Sequence, residues 1–322
     1  MNKSWYKIKY IRKKRKIRRI VTYSDNSTEI KNKHIGIKEF LEKNIYMSKF
    51  TKAYKKDSSI FKNAKAHMYN DVFIKLDIKD FFQNIDHKIL LEILYFELNK
   101  SKSLSTIKYS KKQLLSLIEL CSVSKRGLPL GLVTSPILAN IYLKEFDNLL
   151  YGNLKKFGLN NIIYTRYADD LTISFKKTSQ INIVNEKKNI ELLVSSLLKK
   201  NRLKLNFSKS KMIDFEISNH VRITGLNIVK DTNNFRRITV GRKRINDLFH
   251  QSMNLHLKLK EYSLTDSDKL EILRIKGMES FIYSIEKKGY EYVFSNNMKE
   301  SIYNEGFSNL TELIDALGAR LE

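Results

Sequence analysis

The sequence predicts an α+β fold in which an antiparallel sheet packs on helices and a mainly helical segment follows. Three observations carry this reading. Residues 164–174 read Tyr-Thr-Arg-Tyr-Ala-Asp-Asp-Leu-Thr-Ile-Ser, two adjacent carboxylates between two short apolar, β-branched runs, which is the pattern of a hairpin with acids at its tip. Val72-Phe73-Ile74-Lys75-Leu76-Asp77 alternates as a strand that carries a carboxylate out at its end, with a turn into a helix expected at about His87. Ile190, Leu193, Val194, Leu197 and Leu198 recur at helical spacing and predict a helix with one buried face to cover the sheet.

The C-terminal part is helical by the same criterion. Ile245, Leu248 and Phe249 mark one helix face, and Leu270, Leu273, Ile275, Met278, Phe281, Ile282 and Ile285 mark a later one. With 322 residues, 42% of them apolar, the chain has ample material for a core. Its 60 Lys and Arg against 34 Asp and Glu give a formal charge of +26, so a polyanion is the expected partner: nucleic acid first, a membrane surface second. No apolar run approaches the roughly 18 residues of a spanning helix, and no apolar signal core follows the first charges, so no membrane span and a cytoplasmic location are expected. Cys121 is the sole cysteine, which excludes an intramolecular disulfide and a cysteine-based zinc cluster.

Charge is dense at the start, where ten of the first 20 residues are Lys or Arg. This stretch reads either as a basic arm on phosphates or, from the alternation of Lys16-Ile17-Arg18-Arg19-Ile20-Val21, as a strand. Both prolines fall in one segment, Lys125 to Asn140. There Gly127, Pro129 and Gly131 shape a loop whose backbone can approach a ligand, and Ser135-Pro136 starts a helix. The acid pair itself has two readings: a solvated Asp-Asp turn, or ligands for a hard cation such as Mg²⁺, which takes one or two protein carboxylates and keeps several waters.

Taken together, these segments resemble the motifs of bacterial reverse transcriptases of the retron and group II intron kind. The resemblance runs nearly the whole length of the chain. It implies a right-hand polymerase, with fingers at 1–70, palm at 71–230 and a compact helical thumb at 231–322. By the same resemblance, Asp77, Asp169 and Asp170 are the catalytic acids and hold two Mg²⁺ ions, for which Mn²⁺ can substitute. Lys16, Arg18, Ile78, Phe82, Leu130 and Lys209 fall at nucleotide-binding positions, Phe82 being the aromatic that closes off space beneath the ribose. Asn63 and His67 match an Asn-Ala-x-x-His element. With Arg166, with Thr224 and Gly225 of the primer-gripping hairpin, and with Arg242 at the start of the thumb, they are expected on the RNA and primer. Three departures stand out: Asp57 where the family usually has Gly, Leu130 where it usually has Gln, and Ser210 where Thr is commoner.

The implied activity is RNA-directed DNA synthesis from dNTPs. The template would be a dedicated structured non-coding RNA copied into a short DNA, in anti-phage defence with a separate effector protein and no membrane partner. A free-standing defence-associated reverse transcriptase outside the retrons is the alternative. A catalytically idle RNA-binding protein of the same fold is a third reading, and the three retained acids argue against it. No RNase H, integrase or HNH domain is expected within these 322 residues.

Overall fold

A computed structural model describes residues 5–13, 16–100 and 108–321, with only the backbone of Lys13 and Lys16. The chain forms two compact units, residues 1–218 and 219–322.

The first unit begins with a two-stranded hairpin, β1 (Tyr6–Lys13) and β2 (Lys16–Tyr23), in register from Tyr6 with Tyr23 to Lys13 with Lys16. The expected strand from Lys16 is therefore present. Helices α1 (Thr28–Asn44) and α2 (Ile60–His67) follow. The central sheet has the order β4-β5-β3-β6, with every pair antiparallel. Its strands are β3 (Val72–Asp77), β4 (Ile163–Tyr167), β5 (Asp170–Phe175) and β6 (Lys211–Asp214). Because β3 is central and covered on both faces, five of its six residues are buried.

Between β3 and β4 lie α3 (Phe81–Asn84), α4 (His87–Asn99), α5 (Lys111–Leu120), α6 (Ser135–Tyr142) and α7 (Lys144–Leu154). The expected helix does start at His87, and Asp86 caps it by accepting from the Lys88 and Ile89 amides. Helix α8 (Ile183–Lys200) buries Ile190, Val194, Leu197 and Leu198, as its spacing predicts. These helices and the sheet share one core, in which Leu76, Ile78, Leu94, Tyr142, Phe146, Leu171 and Val194 are all buried.

The second unit opens with a three-stranded antiparallel sheet, β7 (His220–Ile223), β8 (Leu226–Lys230) and β9 (Arg236–Thr239). Helices α9 (Arg242–Glu261), α10 (Asp266–Ile285), α11 (Asn296–Asn304) and α12 (Leu310–Ala319) complete it. Residues 219–230 thus sit structurally with the C-terminal helices. On α9, Ile245, Leu248 and Phe249 are buried as expected. On α10 the buried stripe is Asp268, Ile272, Ile275, Glu279, Ile282 and Ile285, while Leu270 and Leu273 are 59% and 57% exposed. This corrects the apolar face read from sequence. Buried acids hold places in the stripe because they have partners: Glu279 accepts from Tyr290 and Thr311, and Asp268 from Lys258 and Thr265.

Candidate active site

The three acids meet at one end of the central sheet. The antiparallel register sets Asp77, the last residue of β3, directly opposite Asp170, the first of β5. Asp170 in turn pairs with Tyr167, so the two-residue turn between β4 and β5 is Ala168-Asp169 and not Asp169-Asp170. One acid is at the tip and the other is already in the strand. Ala168 takes the positive φ of 56° that a tight hairpin turn demands. The Ile78 amide donates to the Asp169 carbonyl at 3.0 Å, tying the turn to the extension of β3.

Asp77 is 7% exposed, Asp169 partly exposed, and Asp170 open to solvent along one side. Burial raises the Asp169 carboxyl above its ordinary value, and the charge of Asp77 adds to this. Asp170 is pushed up to about 6, by burial of its carboxyl first and then by the charges of Asp169 and Asp77. Asp77 accepts from Lys209 Nζ at 2.6 Å and from Asn206 Nδ2 at 3.0 Å. Asp169 and Asp170, with raised affinity for protons, beside an Asp77 that already draws an ammonium ion, are a donor set that suits a hard divalent cation. Among the described residues no three potential ligands are gathered into a closed cluster, and the Asp77 carboxylate bonds Lys209 and Asn206.

A cleft of about 280 Å³ opens beside the acids. Arg18 of β2, Ile78, Phe82, Leu130 and Lys209 line it together with Asp77 and Asp169, so five of the six expected nucleotide positions converge. The sixth, the Lys16 side chain, lies outside the described residues, as do Lys14 and Arg15. Phe82 is half-buried, edge-on to Phe81 at 5.3 Å between centroids, and presents its remaining surface to the cleft. It is a packing residue and a cleft wall at once. Leu130 reaches the cleft because its carbonyl accepts from the Val21 amide at 2.8 Å, fastening the loop to β2. That approach requires Gly131: at its φ of 111°, a Cβ would stand 2.2 Å from the Val21 carbonyl oxygen.

The residues expected on RNA divide. Asn63, His67 and Arg166 are 1%, 0% and 0% exposed, which revises the expectation that their side chains touch RNA. His67, at the end of α2, bonds Ser174 Oγ of β5 through Nδ1 and Thr165 Oγ1 of β4 through Nε2, both at 2.7 Å. Burial lowers its imidazole to about 3, with the charge of Lys52 as a lesser cause. It is a neutral clasp across the two strands that carry the acid turn. Thr224 and Gly225, with φ of 46° and 88°, form the turn between β7 and β8, and exposed Arg242 begins α9; all three belong to the second unit.

One cleft residue had no role read from the sequence, and another takes a different partner from the triphosphate that the resemblance implies for it. Tyr54, with φ of 54° and 53% exposure, lines the cleft, and Asn206 is aimed at Asp77. For Tyr54 the only signal was its place in the element preceding Asn63.

An antiparallel sheet that gathers three carboxylates at one end, two of them lining a cleft walled by basic and aromatic side chains, is the arrangement of a nucleic-acid polymerase. The chain belongs to the reverse transcriptase (RNA-dependent DNA polymerase) family, whose pattern matches residues 11–228. It is similar to the retron Ec83 reverse transcriptase of Escherichia coli, 27% identical across 77% of this chain and 73% of that one. It is also similar to the retron Ec86 reverse transcriptase of the same organism, 25% identical across 88% and 78%. The retron Ec73 reverse transcriptase, also from Escherichia coli, matches at 35% identity over 38% of this chain and 39% of its own length. The protein is therefore a reverse transcriptase of the retron type, an RNA-directed DNA polymerase, and enzymes of this family work with divalent metal ions. Among the described residues no helix is long and apolar enough to cross a membrane.

Proposed function

We infer that this enzyme copies a dedicated structured RNA into a short DNA in the cytoplasm, and that the product serves anti-phage defence with a separate effector. The observation that carries the catalytic part is the register itself. It sets Asp77 against Asp170 and leaves Asp169 on the adjoining turn, at the mouth of a cleft that also holds Arg18, Phe82 and Lys209.

In this reading residues 1–70 act as fingers, 71–230 as palm and 231–322 as thumb. Asp77 and Asp169 would hold two Mg²⁺ ions, with Asp170 tuning the pair. The chemistry so supplied is activation of the primer hydroxyl and neutralisation of charge at the transferring phosphate. Lys209 then exchanges its bond to Asp77 for the triphosphate of the dNTP, which Arg18 and Lys16 approach from the hairpin. Phe82 occupies the space a ribose 2′-hydroxyl would need. Asn206 keeps Asp77 oriented. Thr224, Gly225 and Arg242 contact the primer and RNA from the second unit, where Arg236, Arg237, Arg242, Lys243 and Arg244 stand close together in the chain.

The test is to purify the protein from its native locus at high salt, identify the bound RNA, and add dNTPs with Mg²⁺. One discrete structured RNA encoded beside the gene, and a short DNA joined to it through a 2′-linkage, are the expected results. Free DNA, or DNA attached to the protein, would overturn the retron product while leaving the polymerase intact.

A further inference from the structure

Arg166 has no exposed surface, and its guanidinium ties α7 and α6 to the acid turn. Its Nε donates to Asp147 Oδ1 at 2.8 Å and its Nη2 to Asp147 Oδ2 at 2.9 Å, a two-pronged ion pair with α7. That leaves Nη1, which donates to Asn140 Oδ1 at 3.1 Å and to the Ala168 carbonyl at 3.3 Å. Ala168 is the turn residue immediately before Asp169, held at positive φ. The Arg166 backbone is occupied on its outer side as well. Its amide donates to the Phe50 carbonyl at 2.9 Å, and its carbonyl accepts from the Lys52 amide at 2.8 Å.

Asn140 closes the circuit. Its Oδ1 also accepts from Thr51 Oγ1, and its Nδ2 donates to the Ala53 carbonyl, both at 2.9 Å. The loop at 50–53 is therefore stitched to β4 and to α6, and the next residue in that loop is Tyr54, which lines the cleft.

We propose that Arg166 is a positioning residue that fixes the Ala168-Asp169 turn, and with it the Asp169 carboxylate, against the loop that delivers Tyr54 to the cleft. The inference rests on the reading of Asp169 as a catalytic acid. A guanidinium is needed because three nitrogens in one plane must reach Asp147 on one side and both Asn140 and the turn carbonyl on the other. A lysine ammonium concentrates its donors at one point and cannot span them. A displacement of the acid by about 1 Å is enough to cost on the order of 10²-fold in rate.

The experiment compares Arg166→Lys with Tyr164→Phe. Tyr164 donates to the same Asp147 Oδ1 at 2.7 Å but has no bond to the turn, so its loss weakens the buried network without releasing Ala168. Primer extension on an RNA template is read as kcat and dNTP KM, together with template affinity and Tm; Asp169→Asn runs alongside. In Arg166→Lys, kcat should fall about 10²-fold, with KM and template affinity within about threefold of the parent, while Tyr164→Phe keeps kcat within about threefold. Parental kcat in folded Arg166→Lys would overturn the proposal. So would losses of kcat in the two variants that simply follow their losses of Tm. Should Arg166→Lys not fold, Asn140→Ala decides: a fall in kcat of at least about fivefold at parental KM supports the positioning role, and parental kcat refutes it. Activity retained by Asp169→Asn would instead defeat the assignment of the acids on which the inference rests.

Discussion

His67 offers a prediction whose size follows from its surroundings. It is fully buried in neutral form, with a pKa near 3 against an ordinary 6.5. On unfolding it regains its ordinary affinity for protons, so the unfolded state binds the proton and the folded state does not. Stability from this group is complete above about pH 6.5 and is lost progressively as the pH falls from there toward about 3. At about pH 5 the loss spans roughly 1.5 pH units, or about 2 kcal/mol. That figure depends only on the folded pKa lying well below 5. His34 shifts in the same direction through burial, and Asp169 and Asp170 shift in the opposite sense for stability, so the wild-type curve alone mixes several groups. The difference between wild type and His67→Asn isolates the one of interest. Urea unfolding followed by the single tryptophan, Trp5, reports on the first unit. The variant should be less stable at about pH 7.5, and the gap should narrow by about 2 kcal/mol at about pH 5. A gap that stays constant between the two pH values would show that His67 titrates freely, and the clasp on Thr165 and Ser174 would have to be abandoned.

Two further substitutions probe the cleft. Phe82→Ala should open the space beneath the sugar and lower the ratio of dNTP to rNTP incorporation by at least about tenfold; an unchanged ratio in a folded protein leaves Phe82 a packing residue only. Gly131→Ala should cost about 2–4 kcal/mol, because its Cβ must displace the Val21 carbonyl at a φ that L residues avoid. As β2 carries Arg18, the dNTP KM should rise with it, and parental Tm and KM together would contradict the coupling of loop to hairpin.

What could be read from the sequence was whatever a short local pattern encodes. The strand ending at Asp77, the hairpin around Asp169, the α8 stripe and the helix beginning at His87 each follow from a few residues of periodicity or a cap. What could not be read depends on partners far along the chain. Asn206 reaches Asp77 across 129 positions, and Arg166 meets Asn140 and Asp147 inside the core, so a basic residue beside the acids passed for an RNA contact. The same blindness displaced the α10 face. Glu279 counts as exposed until Tyr290 and Thr311 are seen to satisfy it, and Leu270 counts as buried until nothing is found to cover it.

The assignment of Asp77, Asp169 and Asp170 to one catalytic site for RNA-directed DNA synthesis meets its most direct test at Asp169. Asp169→Asn keeps the size of the side chain and removes its charge, so primer extension on an RNA template with Mg²⁺ tests it directly. The expected rate is at least about 10³-fold below wild type with RNA affinity unchanged. Extension within about tenfold of wild type would contradict it, since a transition state stabilised through that carboxylate could not survive its neutralisation.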